Sequence, residues 1–408
     1  MSKWQQVKLG DICTITSSKR FHLSERTDIG VPFYCSKEII KKENGEEITE
    51  CDFIPANIYN TIAEKYGVPQ PGDILLTTRG SIGVPYLYKS GDCFYFADGN
   101  LTWLKNFNKL SLPHFLYYWF KSYIGFGKIN AIAKGTAQKA VPIAEIKNIE
   151  LDLPPIEVQR KIADVLSAYD DLIENNRKQI KLLEEAAQRL YKEWFIDLRF
   201  PGYETTPIIE GIPDGWERKK LGEWVNTFSG GTPSRKNKEF YQNGSNFWLK
   251  TQELTDSFIF ETEEKITDRA IEYSSAKYIY PNSIIMAMYG ATIGKLGIAA
   301  TTLTCNQACC VFDLSSDSKK MPYLYLWLKS NRDFFISQGI GSAQSNLSQA
   351  MIKNFDIIVP CQKTLSDFSP ITTKIFAKIL KLQKSVNEAK NARDRLLPKL
   401  MTGELEVK

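Results

Sequence analysis

Two stretches of the chain carry an apolar stripe at alternating spacings of three and four. In the first, Leu166, Ile173, Ile180, Ala187 and Trp194 stand seven apart, and Tyr169, Asn176, Leu183 and Leu190 form the alternate row. In the second, the row runs Ile375, Ile379, Leu382, Val386, Ala389, Arg393, Leu396 and Leu400. Apolar residues at this spacing line one face of a helix and form a coiled-coil seam. The pattern predicts a long helix over 156–198, opening after Pro154-Pro155 and stopping before Pro201-Gly202, and a second one after Pro360. Asn176 and Arg393 interrupt the seam, and polar residues there fix register at some cost in stability. Pro370 is expected to delay the start of the second helix.

Elsewhere the pattern is of short apolar runs, rich in Tyr, Phe and Ile, punctuated by turn signals such as Pro71-Gly72 and Asn243-Gly244. These predict mostly short strands with a few helices, one of them the aromatic run 113–122 behind Pro113. The runs occur twice. Trp4-x4-Leu9-Gly10 returns as Trp216-x4-Leu221-Gly222, and Phe33-Tyr34 returns as Phe247-Trp248. Pro71-Gly-Asp-Ile-Leu-Leu matches Pro281-Asn-Ser-Ile-Ile-Met, and each leads into a glycine loop, Arg79–Gly83 or Tyr289–Gly294. Leu116-Tyr-Tyr-Trp-Phe-Lys-Ser122 matches Leu324-Tyr-Leu-Trp-Leu-Lys-Ser330, Gly135-Thr-Ala-Gln138 matches Gly341-Ser-Ala-Gln344, and Ile146-Lys-Asn148 matches Ile352-Lys-Asn354. Seven matches in one order make a duplicated module, too long in period for a solenoid. The expected architecture is α+β: two mixed α/β domains in a pseudo-two-fold repeat, 1–155 and 199–361, separated by two long antiparallel coiled-coil helices, 156–198 and 362–408.

Composition narrows the class. The 408 residues, 43% hydrophobic and 12% aromatic, suit a folded protein of two or three domains. No apolar run approaches the ~18 residues of a membrane span, and the N-terminus has no signal-peptide pattern, so a cytoplasmic location without membrane contact is expected. The eight cysteines form no C-x-x-C pair, and with only His22 and His114 no zinc spacing is met; buried reduced thiols are expected, and no metal site. The net charge of +5 sits in the distal helix and tail, where 362–408 hold 10 basic and 5 acidic residues. Segment 1–155 holds 18 and 16, 156–197 holds 7 and 9, and 198–361 holds 17 and 17.

Catalytic motifs are not found. Gly290-Ala-Thr-Ile-Gly294-Lys295-Leu296 is one residue short of a P-loop and has Leu296 where a hydroxyl must reach magnesium. Leu153-Pro154-Pro155 lacks the acid or amide and the aromatic of an amino-methylation signature. Glu145-Ile-Lys147 loses its carboxylate in the second copy, Met351-Ile-Lys353, and neither histidine has a Ser or Cys partner at motif spacing. What remains is a set of loops that pair hydroxyls, amides and cations, the chemistry of phosphate and base-edge contact. In the first copy these are Ser18, Lys19 and Arg20; Thr77, Thr78 and Arg79; and Lys134, Thr136, Gln138 and Lys139. In the second they are Thr232, Ser234, Arg235 and Lys236; Tyr289; and Gln344 and Ser345. Arg at a loop tip is the commonest reader of guanine edges, and Gln pairs bidentately with adenine.

Further residues carry a family resemblance: Ile212-Pro-Asp-Gly-Trp216-x4-Leu221-Gly222, Ser229-Gly-Gly-Thr-Pro-Ser234, Leu153-Pro-Pro-Ile-Glu-Val-Gln-Arg-Lys-Ile162 and the tail Arg395-Leu-Leu-Pro-Lys-Leu-Met-Thr-Gly-Glu-Leu405. With the repeat and the two helices, the whole chain resembles the specificity subunit of a type I restriction-modification system. The resemblance implies two target-recognition domains, each reading one half of a bipartite double-stranded DNA sequence, with helices that set the spacer and dock methyltransferase subunits, two in number. It implies no catalysis and no cofactor in this chain. S-adenosylmethionine, ATP and magnesium would belong to the methyltransferase subunits and to restriction/translocase subunits. About forty residues of helix span about 60 Å and one DNA turn about 34 Å, which suits two sites one to two turns apart. The other readings are a coiled-coil adaptor that scaffolds protein partners without reading DNA, and a duplicated enzyme.

Overall fold

Short strands between turn residues fold twice into the same set of ladders in the computed structural model, which describes residues 4–135, 139–339 and 346–407. In the first copy an antiparallel sheet has the order Thr14–Thr16, Leu101–Lys105, Ile74–Thr77, Pro85–Leu87. A three-stranded sheet sets Val31–Tyr34 between Asp52–Ile54, antiparallel, and Tyr95–Phe96, parallel. A two-stranded ladder joins Gln5–Lys8 to Glu150–Leu153. The second copy repeats all three. Asn226–Ser229, Cys309–Asp313, Ile284–Ala287 and Leu296–Ala299 form its main sheet, Asn246–Leu249 lies between Glu264–Ile266 and Thr304–Cys305, and Glu217–Lys220 pairs with Asp356–Val359. One strand of the main sheet has no counterpart among the described residues: Ser257–Ile259 adds a fifth, parallel member beside Leu296–Ala299.

The central strands read as continuous apolar runs because both of their faces are covered. Ile74 and Leu76 face the cluster formed with the helix Pro113–Lys121, whereas Leu75 faces Tyr86, Phe94, Phe96 and Trp103. In the second copy Ile284 and Met286 meet the helix Met321–Ser330, and Ile285 and Ala287 face Leu249, Ile279 and Val311. This is the period-two alternation of a strand with two buried sides.

The central helix is Ile156–Tyr191, closed by a π-helical turn over Lys192–Ile196; the distal helix is Gln362–Met401. The distal helix therefore starts eight residues before Pro370, contrary to the expected delay. Phe368 is buried against Trp194 and Phe195, so side-chain packing holds the first turns of the helix in place despite the ring. Two compact units result, Met1–Glu174 with Asn387–Lys408, and Asn175–Val386. Each takes half of each helix. In the first, Leu166 joins Leu397 and Leu400, with Leu396 alongside, and Asp170 accepts from Arg393 at 2.5 Å. In the second, Ala187, Phe376 and Ile379 share a core with Ile180, Leu183, Leu190 and Ile375, and Asn176 donates to Ser385 Oγ at 3.0 Å. In both units residue numbers rise on one helix as they fall on its partner, so the helices are antiparallel. The remaining seam residues, Tyr169, Ile173, Leu382 and Val386, are buried or half-buried.

Asn176 is only 4% exposed, which makes it a register-fixing polar residue rather than a frayed position. Replacing the pair by Asn176→Leu with Ser385→Ala should raise stability by about 1 kcal/mol in urea unfolding, because an apolar seam outperforms a buried polar pair. A drop in stability would assign the pair a net stabilising role.

The cysteines are all free. Cys13, Cys305, Cys309 and Cys310 are buried, and burial pushes the Cys310 thiol up to about 12. Cys93, by contrast, is exposed, so the expectation of buried thiols fails there. Among the described residues no helix is long and apolar enough to cross a membrane.

Candidate nucleic-acid interface

In the first unit the predicted loops close over one end of the main sheet. Val141 donates its N–H to the Thr78 carbonyl at 2.9 Å, and Arg79 bridges Ala140, which in turn bridges Lys134. This sets Lys134 and Lys139 beside Arg79. The Thr78 N–H donates to the Asn100 carbonyl at 2.8 Å, and Ser36 Oγ donates to both the Arg79 (3.3 Å) and Asn100 (3.1 Å) carbonyls. The Ser18–Arg20 loop joins through two bonds: the Lys19 N–H to Tyr95 Oη at 2.7 Å and Arg20 Nε to Asp98 at 2.8 Å.

The second unit repeats the convergence with other side chains. Tyr289 follows the strand Ile284–Ala287 as Arg79 follows Ile74–Thr77, and it bridges Asn346. Met288 donates to Ala308 O at 2.8 Å and accepts from Leu347 N at 2.9 Å. The Gly231 N–H donates to Cys305 O at 2.9 Å, and Thr232 is hydrogen-bonded to Gln307. The ionic tie Arg20–Asp98 of the first unit thus has a neutral counterpart in Thr232–Gln307.

The side chains differ in availability. Lys19, Arg79, Lys139 and Lys236 are exposed and make no ion pair among the described residues; Ser234 and Tyr289 are exposed as well. Arg20 pairs with Asp98, Lys134 with Glu145 at 2.7 Å, and Arg235 with Glu264 at 2.7 Å while stacking on Tyr241 and Trp248. Arg235 and Lys250 hold the Glu264 carboxyl below the usual carboxylate range. Such exposed pairs are weak, so these cations can exchange a carboxylate for a phosphate. Ser18 is half-buried, and its hydroxyl has no partner among the described residues. Thr77 and Thr78 do not fit the expectation. Both are buried; Thr77 Oγ1 accepts from Val84 N at 2.9 Å, and Thr78 Oγ1 donates to Asn100 O at 3.3 Å, so their hydroxyls hold the loop rather than face a ligand. Thr136, Gln138, Gln344 and Ser345 lie outside the described residues.

This pairing of two like units, each with a converged set of unlike loops, has relatives. The family model of the type I restriction modification DNA specificity domain matches residues 1–185 and again 213–391. The chain belongs to that family. It is 30% identical over 347 residues to the type I restriction enzyme MjaIX specificity subunit of Methanocaldococcus jannaschii, covering 82% of this chain and 78% of that one. It is 24% identical to the HindI specificity subunit of Haemophilus influenzae, covering 99% of this chain and all of that one. A crystal structure of a type I S subunit from M. genitalium has the same fold, with a TM-score of 0.64 at 16% identity over 97% of this chain and 96% of that chain.

Within this specificity-subunit fold, sequence reasoning missed the residues that hold the loops. Ser36, Asp98, Asn100 and Gln307 bridge segments far apart in the chain, and no repeat match or loop composition singles them out.

Proposed function

We propose that the chain reads an asymmetric, bipartite DNA target as the non-catalytic specificity subunit of a restriction-modification complex, one half-site per unit, with the long helices setting the unread spacer. The observation that carries this is the divergence at matching loop positions: Arg79 against Tyr289, Lys19 against Gly231, Arg20 against Thr232. A guanidinium pairs bidentately with guanine, whereas a phenol does not, so the two units read different bases. Membership in a DNA specificity family favours this reading over an adaptor that ignores DNA. Methyl transfer, ATP and magnesium chemistry belong to methyltransferase and restriction partners. The recognition segments are near electroneutral, so much of the phosphate neutralisation also falls to those partners.

The test is a domain exchange. Replacing residues 1–155 by the same segment of a relative, and mapping methylated bases in the host genome, should change one half of the modified sequence and leave the other half intact. A change in both halves, or in neither, overturns the assignment.

A further inference from the structure

One contact made in both copies has changed its chemistry. In the first, Lys19 sets its ammonium 5.4 Å from the centre of the Tyr66 ring, at the end of the helix Ala56–Tyr66. In the second, the matching Gly231 packs on Ser275 and Ala276. The offset that aligns Arg79 with Tyr289 also aligns Lys65 with Ser275 and Tyr66 with Ala276. The same two segments therefore meet twice, once through a lysine and a ring and once through small residues. A glycine against an alanine is enough to seat the loop, so the fold does not require the larger pair.

What the first copy adds is positive charge and an open phenol. Lys65 places a second ammonium 5.4 Å from the same ring centre. Lys19 and Lys65 are exposed, and neither makes an ion pair among the described residues. Tyr66 is 47% exposed, and its hydroxyl makes no hydrogen bond among the described residues. In the second copy the residue after Ala276, Lys277, lies over Phe228 instead, and no second cation shares that ring among the described residues. Two ammonium groups drawn to one ring repel each other, and an anion between them relieves the repulsion. The cluster adjoins the candidate interface: Arg20, next to Lys19, pairs with Asp98, two residues from the Asn100 carbonyl that holds Thr78.

We propose that Lys19, Lys65 and the Tyr66 hydroxyl grip the phosphate backbone at the first half-site without reading its sequence, an anchor for which the second unit has no equivalent. The proposal rests on the function proposed above and divides its labour. An ammonium is a rotatable point charge without the planar fork of a guanidinium, which favours phosphate oxygens over a fixed base edge. Tyrosine hydroxyls donate to phosphates as well. Base reading in the first unit stays with Arg79. A unit that is near neutral as a whole thus concentrates its free cations where the duplex passes, and its half-site is held more firmly than the other before either sequence is read.

The test measures binding of the full chain, assembled with its cognate methyltransferase, between about 50 and about 200 mM salt. One duplex carries the target and another has the first half-site scrambled. Lys19→Gln with Lys65→Gln should weaken both duplexes by the same factor, about tenfold at the lowest salt, and should flatten the salt dependence by about two phosphate contacts. Lys19→Arg with Lys65→Arg should keep the slope, and Tyr66→Phe should weaken both duplexes equally with the slope unchanged. Thermal melting reports the fold; if the double variant unfolds, Lys65→Gln alone takes its place, with about half the change in slope. A folded variant with an unaltered slope, or one that loses affinity only for the intact half-site, overturns the inference alone. An unaltered complex that does not distinguish the two duplexes overturns the proposed function, and the division of labour with it.

Discussion

Asp256→Ala is expected to destabilise the second unit by about 2 kcal/mol, because it strands a half-buried guanidinium. Asp256 immediately precedes the strand Ser257–Ile259, the fifth member that the first copy's main sheet lacks. Its carboxylate accepts from Arg332 Nη1 at 3.0 Å, from Arg332 Nη2, and from the Leu296 N–H at 2.9 Å, with Lys295 Nζ 3.5 Å away. Arg332 also donates to the Gly294 carbonyl at 2.9 Å, which fixes the end of the Tyr289 loop. The Tyr325 hydroxyl donates to the Asp256 carbonyl at 2.8 Å, and two residues on the Phe258 N–H donates to Gln383 of the distal helix at 2.9 Å. Losing the carboxylate therefore loosens a chain of bonds that runs from a loop tip to a helix.

Burial alone would raise the Asp256 carboxyl, but the bonds from Arg332 and Leu296 outweigh it and hold the group below the usual carboxylate range. A carboxylate with a lowered folded pKa stabilises fully above its unfolded value of about 3.9, and the stabilisation is lost as pH falls through the folded value. Urea unfolding across pH should accordingly show the gap between the unaltered chain and Asp256→Ala at its full size at pH 7 and narrowing below about pH 4. Asp256 has φ of +60°, a conformation that costs alanine about 1 kcal/mol or more. Asp256→Asn tolerates that backbone and isolates the charge, so it should fall between the two. A gap that stays constant from pH 7 to full protonation would remove the ion pair from the account.

Gly231→Ala should cost the second unit about 3 kcal/mol, the upper range for overpacking, and should relax the sequence preference of that unit. A Cβ at Gly231 would lie 2.3 Å from the Ala276 nitrogen and 2.4 Å from the Ser275 carbonyl carbon, both backbone atoms. The segment cannot retreat, because the Gly231 N–H is bonded to Cys305 O and its carbonyl accepts from Trp248 Nε1 at 3.0 Å. The matching first-copy residue is Lys19, so this crowding belongs to the second copy. Thermal melting reports the first effect. Mapping of methylated bases reports the second: the half-site read by 199–361 should lose its sequence preference. An alanine variant with unchanged melting and unchanged target would show that the loop has room.

The helices and the repeat were legible because seam spacing and strand alternation survive in local sequence; Leu166, Ile180 and Ile379 fall on the seam as their spacing requires. Pro370 misled because its ring was weighed without Phe368, whose burial against Trp194 and Phe195 is a long-range contact. Thr77 and Thr78 misled because threonine serves both strands and loop tips, and only the sheet shows these two to be interior. Arg79 and Tyr289 were placed correctly at matching loop tips by the flanking glycines. Asp256 stayed invisible because the extra strand has no partner in the first copy to align with.

The first unit closes on two segments far apart in sequence, with Leu397, Leu400 and Met401 in its core and Gly403 against Trp4. The second is continuous from Asn175 to Val386. On the ribosome, then, the second unit can complete itself before residues 387–401 emerge, while the first, although begun earlier, waits for them. A premature stop just beyond Val386 would leave the later-made unit whole and the earlier-made one without part of its core.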